Sequence, residues 1–209
     1  MILYVNGDSH SGGGPTTQSF AIRVAKEFGL DIVNEAQWGA SNARILRTSK
    51  EYFATQQSPD LVIIGWSTWE REEWQYENQY YNVNSSGHDP LPKALQDYYK
   101  KWVIDQTPDH LNAKSRQIHE EIYDLHLWLK QQRISHLFFN CMYNFFGIQP
   151  DQKKDWNNCY IDPYDNDSSF YFYLTRCGFK SNDWYHFEND AQHAWSDRLI
   201  SYIKAHKLL

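Results

Sequence analysis

Met1-Ile-Leu-Tyr-Val-Asn-Gly-Asp-Ser9 decides how this chain is read: a short continuous apolar run that ends in a glycine, an acid and a serine. Such a run, bounded by polar residues, is the pattern of a parallel strand covered on both faces. Ser9 is then held just beyond a rigid strand, where the N–H groups of the turn and of a following helix start can face a developing negative charge. Near the other terminus stands Asp183-Trp-Tyr-His186. Serine is a poor nucleophile until an imidazole accepts its proton, and the imidazole needs a carboxylate to fix its tautomer. Ser9, His186 and Asp183 are the candidates for those three roles. Gly-Asp-Ser arises by chance in a chain this long on the order of 5% of the time and Asp-x-x-His about a quarter of the time. The weight therefore rests on order and context: the serine follows the first strand and the Asp/His pair precedes the last helix.

Working outward, residues 60 to 65 read as a second buried strand. Between the two, Pro15 to Gly29 has a helix's Pro near its start and Gly past its end, Asp31 to Asn34 is a short strand, and Ser41 to Gln57 is a second helix. Alternation of this kind implies right-handed crossovers and a parallel sheet with helices on both faces. Ligands bind such sheets beyond the carboxyl ends of the strands, where Ser9, Gly39 and Ser67 all emerge. Trp69 to Asp89 is polar and aromatic, lacks sustained periodicity and exceeds an ordinary connection. It reads as an insertion over the site, continued to about residue 108 by a helix from Leu91 to Asp105. Asp109 to Gln132 is the clearest helix, with Asp109 as its expected N-cap. Ser135 to Asn140 is the fourth strand. A loop-rich stretch from Met142 to Ser168 holds a possible fifth near Cys159 to Ile161, and helices around Ser169–Cys177 and Glu188–His206 close the chain.

These blocks resemble those of the SGNH (GDSL-type) hydrolases: Gly7-Asp8-Ser9 is similar to the first, and the segment from Asp183 through His186 and His193 to Trp195 to the last. Asn34-Glu-Ala-Gln-Trp-Gly39-Ala-Ser-Asn42 looks like the second, whose glycine offers its N–H to the oxyanion. The third block departs, since Leu61-Val-Ile-Ile-Gly65-Trp66-Ser67-Thr68 places Ser67 where the family has an asparagine donor. The resemblance implies a three-layer α/β/α sandwich with a flavodoxin-like parallel sheet over residues 1–209 as one domain. It also implies a serine esterase with Ser9 as nucleophile, His186 as base and Asp183 as orienter. Ser9, Gly39 and Ser67 would form the oxyanion hole, with Asn42 or Thr68 as alternative third donors. No metal or cofactor is required. His10, Asn42, Arg71 and Trp74 are the candidate substrate contacts. Short acyl groups, acetyl foremost, on a carbohydrate are the favoured substrates, because the aromatic insertion suits sugar faces and no long apolar acyl channel is evident. A catalytically silent binding or structural protein and an O-acyltransferase are the rival readings.

Composition narrows the field further. A net charge of −6 argues against general nucleic-acid binding, which needs a cationic surface. No apolar run approaches the roughly 20 residues that span a bilayer, and the N-terminus lacks the pattern of a secretion signal. Three cysteines without Cys-x-x-Cys spacing fit reduced thiols and a cytoplasmic protein, or a virion or host cytoplasm for a viral one. Gly12-Gly13-Gly14 lacks the ending of a phosphate loop. Asp162, Asp165 and Asp167 lack calcium-loop spacing. The histidines are scattered, and His119 and His126, seven apart on one helix, read as surface or packing residues. Oligomeric state is not legible.

Overall fold

The computed structural model describes residues 1–13 and 18–209. Four parallel strands, β1 (Ile2–Gly7), β2 (Asp31–Asn34), β3 (Leu61–Trp66) and, later in the chain, Ser135–Asn140, lie in the order β2-β1-β3-Ser135–Asn140. Strand alternation divides the core. Leu3, Val5, Leu61, Ile63, Leu137 and Phe139 face one layer, while Tyr4, Val62, Ile64, Trp66 and Phe138 face the other. The first face is covered by α2 (Ala21–Phe28) and two C-terminal helices, Phe170–Arg176 and Asn189–His206. The second is covered by α3 (Asn42–Thr55) and the long helix Pro108–Gln131. This is a three-layer α/β/α sandwich with a flavodoxin-like strand order.

Helix boundaries follow local chemistry. Ser41 caps α3 through its side chain, which accepts from the Arg44 N–H at 3.2 Å. Gly29 ends α2 with φ +66°. The expected first helix begins later than its proline, at Ala21, and Pro15 to Thr17 lie outside the described residues. Asp109 is not the cap of the long helix: the Thr107 side chain accepts from the His110 N–H, and Pro108 occupies the first helical position, where its missing N–H costs nothing. The fifth strand shrinks to one parallel bridge, Phe138 to Tyr160.

Between β3 and the long helix the insertion folds into an antiparallel sheet of its own, β4 (Glu72–Tyr76), β5 (Gln79–Asn84) and β6 (Gly87–His88), followed by α4 (Lys93–Ile104). With these in place, α1 is the short turn Ser9–Gly12, the long helix is α5, the fourth main strand is β7, and the last two helices are α6 and α7. Among the described residues no helix is long and apolar enough to cross a membrane, and Cys141, Cys159 and Cys177 are unpaired.

Candidate active site

Ser9 owes its position to two glycines. Gly7 and Gly65 sit side by side on β1 and β3, and a Cβ on either would lie 2.3 Å from Ser11 Oγ. Their bare backbones let α1 seat against the sheet. Asp8 caps that turn by accepting from the His10 N–H at 3.0 Å, which makes Ser9 the first helical residue, with its own N–H outside the helical ladder. Gly39 occupies the third position of a turn closed by Ala40 N–H donating to Gln37 O at 3.1 Å. Its φ of +72° is the left-handed conformation that glycine adopts at least cost, and its N–H has no partner among the described residues.

His186 Nε2 lies 2.8 Å from Ser9 Oγ, so residues 177 positions apart form a nucleophile–base pair. The loop carrying His186 is held by Asn182, whose side-chain oxygen accepts from the N–H groups of Trp184 (2.9 Å) and His186 (3.0 Å). Trp38 packs beside the imidazole with ring centroids 5.5 Å apart. Burial lowers the His186 pKa, the neighbouring charges of His10 and Arg71 lower it further, and Asp8 opposes them. Each lowering favours the neutral imidazole, the form a general base needs. Asp183 is not joined to it: its carboxylate is exposed on the cavity wall and makes neither a hydrogen bond nor an ion pair among the described residues.

The carboxylate that the structure does organise is Asp8, fully buried. Oδ1 faces His10 Nδ1 at 3.1 Å, while Oδ2 accepts from Ser67 Oγ at 3.0 Å and from an Arg71 guanidinium nitrogen at 3.2 Å. Burial alone would raise its pKa, but the charges and hydrogen bonds of His10 and Arg71 hold it well below the usual carboxylate range. His10 Nε2 meets the Tyr185 carbonyl at 3.3 Å. Both ring nitrogens therefore face oxygen atoms, one of the Asp8 carboxylate and one of the backbone. This places His10 beneath the site, between Asp8 and the loop that carries His186.

The other expected contacts sort differently. Asn42 is locked to the backbone of residue 67, accepting from its N–H at 2.8 Å and donating to its carbonyl at 3.0 Å. Thr68 Oγ1 donates to Glu70 at 2.7 Å. Ser67 is buried and its single hydroxyl proton points at Asp8, away from an oxyanion role. Trp74 does not line the cavity: it packs on Tyr98, Tyr99 and Trp102 inside the insertion. Arg71 does line it. His193 is exposed on α7.

A cavity of about 870 Å³ opens above Ser9 and His186. The insertion reaches it through polar residues, Asn82, Asn84, Ser86, His88 and Asp89, while the aromatic wall comes from Trp38, Tyr143, Trp184 and Tyr185. The motif reading missed that wall because its members lie in three separate loops. Asp8 was visible beside Ser9, but its partners are 59 and 63 residues away.

Among the described residues, two groups place three potential metal ligands within 4.8 Å: Asp8, His10 and Cys141 under the site, and His126, His136 and Cys159 on the far side of the sheet. In the first, Asp8 and His10 are bound to one another and burial raises the Cys141 pKa. In the second, His136 Nδ1 faces the Ile134 carbonyl at 2.9 Å and Nε2 faces His126 Nδ1 at 2.8 Å, while the buried His126 Nε2 has no partner among the described residues. Burial pushes both imidazoles down to about 4. His119 and His126 are fully buried, in the packing role of the two expected.

Neither a protein-family profile nor a curated protein sequence matches the chain. Solved structures do. The psychrotrophic esterase EstA from Pseudoalteromonas sp., in a form inhibited by monoethylphosphonate, aligns over 98% of this chain and 97% of its own with a TM-score of 0.50 at 12% identity. The chain has the SGNH (GDSL-type) hydrolase fold. TesA aligns over 100% of both chains at 16% identity and a TM-score of 0.49. A GDSL-like lipase from Parabacteroides merdae aligns over 100% of this chain and 96% of its own at 10% identity and 0.43. On this SGNH scaffold Ser9, Gly39 and His186 stand at the carboxyl edge of the sheet, in the loops after β1 and β2 and before α7.

Proposed function

We propose that this chain is a serine ester hydrolase in which Ser9 and His186 carry the chemistry. The observation that bears the reading is the 2.8 Å contact between Ser9 Oγ and His186 Nε2 at the foot of an open cavity. Ser9 Oγ attacks the ester carbonyl while Nε2 takes its proton. The tetrahedral intermediate places its oxyanion against the N–H groups of Ser9 and Gly39, and its collapse expels the alcohol, which leaves with the proton from His186. Water, deprotonated by the same imidazole, then attacks the acyl-enzyme and releases the acid. Asp183 joins this scheme as orienter only if its loop closes on a ligand.

The cavity also supports a substrate class. Exposed aromatics on one wall and amides, hydroxyls and carboxylates on the other suit a neutral polyhydroxylated molecule, and the volume lies within the usual small-molecule range. A short acyl ester on a carbohydrate, acetyl foremost, fits best. The net charge of −6 speaks against nucleic acid, and unpaired thiols suit a reducing compartment such as the cytoplasm.

The unengaged Asp183 is what a silent binding protein on this scaffold would display, so the test addresses reactivity directly. Incubation with a fluorophosphonate should add one phosphonyl group to the intact chain, and none to the Ser9→Ala variant. His186→Ala should lose esterase activity by about 10⁴–10⁶-fold. An unlabelled wild-type chain would make this a binding protein.

A further inference from the structure

The site lacks an obvious third donor for the oxyanion, and the three side chains placed to supply one are all engaged. Ser67 gives its proton to Asp8, Asn42 is consumed at both ends by the backbone of residue 67, and Thr68 donates to Glu70. We propose that Arg71 supplies the missing donor, its guanidinium standing in for the amide that position 67 lacks. The proposal rests on the ester-hydrolase reading and adds a catalytic residue to it.

Three observations point to this arginine. One terminal nitrogen lies 3.0 Å from Ser67 Oγ and 3.2 Å from Asp8 Oδ2, so the guanidinium lies against the short Ser67 side chain and the carboxylate that precedes the nucleophile. Those contacts fix a planar group of five N–H donors, and its other nitrogens have no partner among the described residues. The side chain is only 18% exposed, yet it lines the cavity together with Ser9 and Gly39. A donor held in place before the reaction needs no reorganisation when charge develops, which is the condition for oxyanion stabilisation.

Charge decides against the rival role, in which Arg71 anchors an anionic part of the substrate. Glu70, Asp89, Asp183 and Glu188 line the same cavity, against one arginine and no lysine among the described residues. That wall repels a fixed anion. An oxyanion differs because it arises only in the transition state, at the point where the local donors converge.

The test uses the full chain and its Arg71→Ala, Arg71→Lys and Arg71→Gln variants with p-nitrophenyl acetate, a p-nitrophenyl monosuccinate ester and a fluorophosphonate. Removing an oxyanion donor typically costs about 10²–10³ in kcat. Arg71→Ala should lose that much on the neutral acetate with KM little changed, label at least tenfold more slowly, and recover activity when millimolar guanidinium chloride is added. Arg71→Lys should retain only part of the rate. Arg71→Gln, which keeps bulk and some donors, covers the case in which the alanine variant does not fold, and should likewise fall at least tenfold in kcat. A normal kcat on acetate with a raised KM only for the succinate overturns the proposal in favour of an anion anchor. A wild-type chain that labels while folded Arg71 variants label equally fast overturns it and leaves the hydrolase reading intact. Failure of the wild type to label at all overturns both.

Discussion

The floor and the rim of the cavity are built on opposite principles. On the floor, Asp8, His10, Ser67 and Asn42 are buried and tied to one another or to the backbone by hydrogen bonds. On the rim, Asp183, Trp184 and Tyr185 are exposed, Trp184 to 78%. Asp8 and Asp183 make the contrast sharpest: both are carboxylates near the nucleophile–base pair, one with four partner groups and the other with none among the described residues. A preorganised floor suits transition-state electrostatics. An uncommitted rim can adapt to a ligand's shape.

The largest effect should follow from breaking the floor. Asp8→Asn leaves Arg71 without its buried counter-charge and takes from His10 and Ser67 the carboxylate they share, and removing one partner from a buried ion pair costs about 3–5 kcal/mol. At about 2–4 °C per kcal/mol for a chain of this size, calorimetry should show the unfolding midpoint fall by roughly 10 °C. Esterase activity should fall with it. Asp183→Asn should leave the midpoint unchanged and reduce kcat less than tenfold. A loss near the roughly 10⁴-fold seen when a true triad carboxylate is neutralised would show that the rim loop closes during turnover, and the contrast would fail.

Next comes the charge beneath the base. His10 helps hold the His186 pKa below its ordinary value, after burial itself. The base works only when neutral, so the acid limb of kcat/KM should lie below the usual histidine range near pH 6.5. His10→Gln removes one depressing charge, and the limb should move to higher pH. A shift to lower pH, or none, would mean that His10 acts on His186 through packing alone.

Legibility in the sequence follows the same division. The strands and their helices declared themselves through continuous apolar runs and cap residues such as Ser41 and Gly29, because burial on both faces leaves little choice of residue. The insertion did not. Its first hairpin turns at Glu77 and Asn78, both in the left-handed region without the glycine that usually marks such a turn, and its strands are too shallowly buried to alternate. Ser9, Gly39 and His186 were legible from motif order, since each sits at a strand end or before a helix. The hub on Asp8 was not, because it depends on Ser67 and Arg71 arriving from another strand end. Trp74 misled for a related reason: aromatic content marks an insertion but does not say which rings turn inward.

The smallest effect should come from the rim, and it separates a sugar-binding wall from incidental exposure. Trp184 is fixed by little besides its own loop, so Trp184→Ala should leave folding unchanged and leave KM for p-nitrophenyl acetate within twofold. Stacking of an aromatic ring on a ligand face is worth about 0.5–1.5 kcal/mol beyond the area it buries, or roughly two- to tenfold in affinity. KM for an acetylated oligosaccharide should therefore rise by that factor, because only the larger substrate extends from Ser9 to the rim. Trp38→Ala supplies the contrasting case. Trp38 packs against His186 and donates from its indole nitrogen to the Gly13 carbonyl at 2.9 Å, so its loss should lower kcat on both esters. Equal behaviour of the two tryptophan variants would dissolve the boundary between rim and floor at that wall, and would make Trp184 part of the machinery that positions the base.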